Sequence, residues 1–255
     1  MKMVDGYITR KSMIYESAVE YGELAMTPCL GCAHACSYCY AYSLKHRTGE
    51  IKTRDEWKKV KPVANMLELV KKEIPKVQKL GKSVTLSFMT DAFMYNYPEV
   101  CRLSLDALKL LNDSGVQVVT ITKGVLPYEL VFLSKDNMHG ITLESLDENF
   151  RLQTSPGSAP YVERINSLYA LHQAGLKTWV SIEPYFTPNI IQQDLHQLLE
   201  SISFVDRIVF GRANYCTAVT AYPYKKEFYN QAAAEVMAFC NARGIECIIK
   251  EGTIS

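Results

Sequence analysis

Four times along the chain an amphipathic segment runs into a glycine and a short β-rich run follows: KVQKLGKSVTLSF, LLNDSGVQVVTIT, LHQAGLKTWVSI and FCNARGIECIIK. Gly81, Gly115, Gly175 and Gly244 stand where the helices stop, because glycine enters the left-handed conformation past a helix end at little cost. Apolar residues at helical period mark the helices at Leu67, Val70, Ile74 and Val77, then Leu103, Leu108 and Leu111, then Ile165, Leu168 and Leu171. Further strands are expected at GELAMT, at HGITLES from His139, and at DRIVFGR from Asp206.

Helix and strand alternate at roughly 25–35 residues per unit, the βα repeat of a parallel sheet. The count is six βα units and a final strand, IECIIK. That falls short of eight, so the expected fold is α/β, a partial (β/α)6 TIM-type barrel; an open doubly wound sheet is the alternative. Either way the chemistry belongs beyond the C-terminal ends of the strands. No low-complexity linker divides residues 1–255, and a single domain is expected.

Composition narrows the functional classes. With 48% hydrophobic and 22% charged residues and a formal net charge of +1, the chain has no bulk attraction for nucleic acid or anionic lipid. No apolar run approaches a membrane span and the N-terminus lacks an apolar h-region, so a cytoplasmic location is expected. Eight cysteines in a reducing compartment point to metal binding rather than disulfides, since four of them fall within eleven residues.

Those four are Cys29, Cys32, Cys36 and Cys39 in TPCLGCAHACSYCYA, directly after the first strand. Thiolates hold zinc or an iron–sulfur cluster. Structural zinc sites commonly separate two CxxC pairs by a dozen residues or more. Here the second pair starts four residues after the first, which suits a cluster wrapped by one loop. Three readings stand: a cluster on Cys32, Cys36 and Cys39, a closed electron-transfer cluster that adds Cys29, and a zinc-binding module.

The inner triplet, Cys32-x3-Cys36-x2-Cys39 with Tyr38 before the last cysteine, matches the radical SAM signature. GCAHACSYCYA resembles the loop of the radical SAM branch related to spore photoproduct lyase, and His34 and Tyr40 fit its pattern. The similarity continues through VKPVANMLELVKKEI, SFMTDAFMYNYPE, VVTITKG, ITLESLDENF, ERI and SIEPYFTP. FGRANY and IIKEG look more like small relatives of the same superfamily, phage-type proteins among them.

What the resemblance implies is a cluster loop over residues 27–41 whose three cysteines hold a [4Fe–4S] cluster with one iron open. S-adenosylmethionine would chelate that iron and be cleaved reductively to a 5′-deoxyadenosyl radical, with a reductant such as flavodoxin or ferredoxin. Thr90 and Asp91 would meet the amino group or ribose, Lys123 the methionyl carboxylate, and Thr142 the cofactor. Cys29 would lie near without ligating. In spore photoproduct lyase a hydrogen-donating cysteine precedes the Ser/Thr-Asp pair; here that position is Met89. The resemblance therefore implies the cofactor chemistry without the substrate, which is open among small molecules, peptides and nucleic acid.

Strand alternation independently puts Thr142 and Glu144 on one face, and Ser181 and Glu183 on one face of the next strand. Arg164 and Arg212 are partners for those glutamates or for the cofactor carboxylate. Cys216, in a tyrosine-rich loop after DRIVFGR, is either a hydrogen donor to a substrate radical or an ordinary loop cysteine. Tyr95 and Tyr97 either stack on adenine or substrate or pack their loop. The basic stretch from Lys45 to Lys61, with Trp57 inside it, is either a docking face for a reductant or an anionic substrate, or a solvated surface.

Overall fold

The computed structural model describes residues 1–214 and 216–254. Its strands are β1 (Tyr15–Glu16), β2 (Leu24–Met26), β3 (Cys29–Leu30), β4 (Lys61–Pro62), β5 (Val84–Leu86), β6 (Val118–Thr122), β7 (Met138–Thr142), β8 (Lys177–Tyr185), β9 (Arg207–Arg212) and β10 (Glu246–Ile249). The helices are α1 (Tyr40–Arg47), α2 (Arg54–Trp57), α3 (Met66–Leu80), α4 (Pro98–Asp113), α5 (Glu148–Thr154), α6 (Tyr161–Gln173), α7 (Leu195–Glu200), α8 (Thr217–Thr220) and α9 (Lys225–Arg243). A 3-10 turn, Tyr128–Phe132, links β6 to β7.

The main sheet runs in the order β1-β2-β5-β6-β7-β8-β9-β10, and every pairing from β2 to β10 is parallel. Sequential strand order winds the sheet one way only, which makes a barrel wall. A doubly wound sheet would reverse its order midway. The two ends of the run, β2 and β10, do not pair, so the barrel is open. All seven strand runs read from the sequence are present. The four helix-ending glycines have φ of 63, 73, 80 and 69°, the left-handed stop that spares the last carbonyls.

Two layers of core follow from strand alternation. Outward-facing residues such as Leu86, Val118, Ile141, Val180 and Ile208 pack against the helices in the large cluster. The inward ones, Ile121, Trp179 and Val209, fill the bore with Val119, Met138, Tyr21 and Ile248 around them. Trp179 fits because β7 offers Gly140, where a Cβ would stand 2.4 Å from the indole nitrogen. That nitrogen donates to the Thr120 carbonyl at 3.0 Å. The bore is thus plugged below its upper rim, and any cavity sits above.

The turn between β1 and β2 reaches over the open side. Tyr21 meets Phe88 and Trp179 edge-on, with centroids 5.8 Å apart in each case. Glu20 accepts from the Glu251 backbone N–H, just past β10, at 2.9 Å. Among the described residues no helix is long and apolar enough to cross a membrane.

Candidate active site

The cysteine loop leaves β2 and crosses the upper rim. Gly31 lets it pass Lys59, since a Cβ there would lie 2.0 Å from the Lys59 carbonyl oxygen, and its φ of +83° suits glycine. Cys32 N–H donates to the Trp57 carbonyl at 2.7 Å and Ser37 N–H to the Thr154 carbonyl at 2.7 Å. Arg54 donates to the carbonyls of Cys36 and Ser37 at 3.2 and 2.8 Å. Part of the basic stretch is therefore structural: Arg54 braces the loop, and Trp57 is buried in a core beneath it. Lys45 and Lys58 are in surface ion pairs with Glu50 and Asp55.

Cys32, Cys36 and Cys39 all line one cavity of about 580 Å³ at the upper rim, within the size range of cofactor sites. Burial holds the Cys32 thiol above its usual value and pushes Cys36 up to about 11. Loading metal onto them therefore releases protons. Cys39 heads α1, and its sulfur accepts from the Tyr42 N–H at 3.4 Å. The three thiols face a common space. A multi-iron cluster takes one thiolate per corner, so this donor set fits an iron–sulfur cluster.

Cys29 is outside that lining. It is fully buried, with its sulfur 3.5 Å from the Gly31 carbonyl and 3.3 Å from Thr90 Oγ1. Burial raises its thiol to about 12, which keeps it protonated.

Asp91, at the rim after β5, ties the site together. Its Oδ1 accepts from Thr122 Oγ1 at 2.6 Å and from the Phe93 N–H at 2.9 Å, and its Oδ2 from the Lys123 N–H at 2.8 Å. His34 Nε2 accepts from the Tyr95 N–H at 3.1 Å. Its proton is therefore on Nδ1, 3.5 Å from Asp91 Oδ2. Burial lowers His34 to about 4, so a neutral imidazole joins the cysteine loop to the rim.

Beside it lies a buried charge cluster. Lys123 Nζ donates to Glu144 Oε1 and to the Tyr38 hydroxyl, both at 2.7 Å, and Tyr38 donates to the same carboxylate. Arg164 contacts the other oxygen at 3.1 Å and also donates to the carbonyls of Thr142 and Ala159 and to Ser158 Oγ. Burial opposes ionisation of Glu144, but Lys123 and Arg164 outweigh it and bring the carboxyl down to about 2. Lys123 and Arg164 both face Glu144, and of these three only Lys123 lines the cavity.

Of the residues read from the sequence, Tyr38, Thr90, Asp91, Lys123, Thr142, Ser181, Glu183 and Arg212 line this cavity with the three cysteines. Glu144 and Arg164 do not; they are fully buried behind Lys123. Cys216 precedes α8 and lines no part of it. Tyr95 and Tyr97 also lie outside it: Tyr95 donates to Glu163 at 2.9 Å and Tyr97 packs beneath the cysteine loop. Lys250, beyond β10, pairs with Glu183 at 2.5 Å on the cavity wall; alternation from Ile248 points it inward. Ser87 carries no local signal in the sequence. It follows β5 with φ of 87°, and its buried hydroxyl on the cavity wall has no hydrogen-bond partner among the described residues. An orphaned hydroxyl of this kind fits a polar cofactor.

Comparison with known proteins bears on the fold and the family. The structure superposes on spore photoproduct lyase complexed with dinucleoside spore photoproduct with a TM-score of 0.70, covering 96% of this chain and 80% of that one at 12% identity. SuiB of Streptococcus suis, bound to S-adenosylmethionine, gives a TM-score of 0.52 over 88% of this chain and 46% of that one at 14% identity. An uncharacterized protein, ORF301 of Acidianus two-tailed virus, is 28% identical over 187 residues, 70% of this chain. The alignment covers only 61% of that relative's length. The family model described as the Radical SAM superfamily matches residues 26–202, well over half of the chain, and with its cysteine loop and open parallel barrel this chain belongs to the radical SAM superfamily.

Proposed function

We propose that Cys32, Cys36 and Cys39 hold a [4Fe–4S] cluster with one iron left to S-adenosylmethionine, and that the enzyme abstracts hydrogen from a substrate held in the same cavity. Membership of the superfamily implies cleavage of S-adenosylmethionine with an iron–sulfur cluster and a need for a reductant. Held by Cys32, Cys36 and Cys39, such a cluster would supply the electron for reductive cleavage of S-adenosylmethionine at its sulfonium. The observation that carries the reading is that three thiols, and not Cys29, line one cavity together with Lys123.

Each residue has a task in binding, orienting or excluding water. Lys123, with its charge only partly balanced by Glu144, takes the methionyl carboxylate. Glu144 and Arg164 hold that ammonium in place from behind. Asp91 accepts from Phe93, Thr122 and Lys123 and has the His34 Nδ1–H 3.5 Å away, so it meets the cofactor's amino group or ribose only by sharing the oxygen that faces His34. Thr90, Thr142 and the unpartnered Ser87 hydroxyl supply further polar contacts, and Phe88, Met89 and Ile121 keep water from the reacting carbon. The electron donor is of the flavodoxin or ferredoxin kind.

The test is direct. Protein purified without oxygen should carry about four iron and four sulfide per chain and form 5′-deoxyadenosine from S-adenosylmethionine with dithionite. A fully reconstituted cluster that never yields 5′-deoxyadenosine would overturn the reading.

A further inference from the structure

A second cavity, of about 400 Å³, adjoins the first and is walled by Arg212, Ala213, Asn214, Val219, Thr220 and Lys225. Arg212 and Asn214 line both spaces, so a molecule seated in the recess reaches the cofactor cavity without crossing the protein.

Among the described residues the charges of the recess have no ion-pair partner. Elsewhere on the cavity walls Lys123 faces Glu144 and Lys250 faces Glu183. Arg212 donates through Nε to Asn214 Oδ1 at 2.9 Å, and among the described residues neither Arg212 nor Lys225 has a carboxylate in an ion pair. Lys225 is also the first residue of α9, a helix of 19 residues whose preceding residue, Tyr224, gives no side-chain cap. The Lys225 N–H is taken by the Tyr222 carbonyl at 3.2 Å, and the dipole of that end adds positive potential at the same place. Glu227, in the same turn, is exposed and is not part of the recess wall.

We propose that this recess binds the phosphate of a phosphomonoester substrate, whose remainder extends past Arg212 and Asn214 to the cofactor; this rests on the function proposed above. Charge selects the group. A phosphomonoester carries about −1.5 to −2 at neutral pH and balances two cations, while a carboxylate or a phosphodiester carries one charge and leaves a cation over. The planar guanidinium of Arg212 suits two phosphate oxygens at once, and Lys225 serves as a point charge beside it.

The experiment is anaerobic calorimetry on the full, cluster-loaded chain, titrated separately with methyl phosphate, dimethyl phosphate, acetate and S-adenosylmethionine. Methyl phosphate should bind about tenfold or more tighter than dimethyl phosphate or acetate. Arg212→Gln and Lys225→Gln should each weaken it about tenfold. Lys225→Gln keeps the test valid if the Arg212 variant fails to fold, since Lys225 stands at the start of a surface helix. Equal binding of the three anions, or methyl phosphate binding that neither substitution alters, overturns the proposal. If S-adenosylmethionine binds and methyl phosphate does not, the recess assignment falls alone. If methyl phosphate behaves as stated and S-adenosylmethionine does not bind, the recess stands as a phosphate site and the radical reading falls.

Discussion

Replacing Cys36 with alanine is expected to strip the protein of its iron and abolish formation of 5′-deoxyadenosine, while Cys29→Ala keeps both. The two thiols are seven residues apart in one loop, and both are buried, so burial does not separate them. Their surroundings do. Cys36 opens on the cavity beside Cys32 and Cys39. Cys29 is turned away, hydrogen-bonded to Gly31 and Thr90. Losing an outer-shell partner of a metal site costs about 10–100-fold in affinity or activity, and losing one of three direct ligands costs more. In Cys29→Ala, Thr90 keeps its bond to the Cys29 carbonyl, and the expected loss is one buried hydrogen-bonding group, about 1 kcal/mol of stability. Iron per chain and the yield of 5′-deoxyadenosine read both variants. A Cys29 variant as empty as the Cys36 variant would mean that the fourth thiol is a ligand.

Glu144→Gln should be the most destabilising isosteric change at the site. The carboxylate is fully buried between Lys123 and Arg164. An amide oxygen accepts from one of them, and the amide NH2 then faces the other. Removing one member of a buried ion cluster costs about 3–5 kcal/mol, or roughly 10 °C in melting temperature for a chain of this size. The pH dependence has a definite sign. Glu144 titrates near 2 when folded, against 4.5 as an ordinary glutamate. When unfolded it therefore takes up its proton first as pH falls. Its contribution is complete above about pH 5 and is lost as pH drops from there towards 2. The stability gap between wild type and Glu144→Gln, measured by urea unfolding, should narrow across that window. A gap unchanged between neutral pH and pH 3 would mean that Glu144 is not the ionised partner of Lys123 and Arg164.

The parts of this site that the sequence foretells are local. Glycines ending helices at 81, 115, 175 and 244 divide helix from strand without tertiary help. The spacing of Cys32, Cys36 and Cys39 encodes one loop, and alternation along β7 and β8 turns Thr142, Ser181 and Glu183 inward. What the sequence leaves open depends on contacts far along the chain. Arg164 on α6 meets Glu144 twenty residues earlier, and no local pattern chooses that partner over the cofactor. Tyr21 reaches the bore from a turn outside the parallel strands. Ser87 takes a left-handed φ that an ordinary strand ending in serine does not signal. The recess at Arg212 and Lys225 joins a strand end to a helix start across the loop that contains α8, and it exists only once that loop is folded.

The central claim is that one corner of the cluster has no protein ligand and is taken by S-adenosylmethionine. Electron paramagnetic resonance of the dithionite-reduced protein, recorded before and after S-adenosylmethionine is added, tests it most directly. The spectrum should shift on addition, because the cofactor enters the coordination sphere of an iron. A reduced cluster whose signal is identical with and without S-adenosylmethionine would contradict the account.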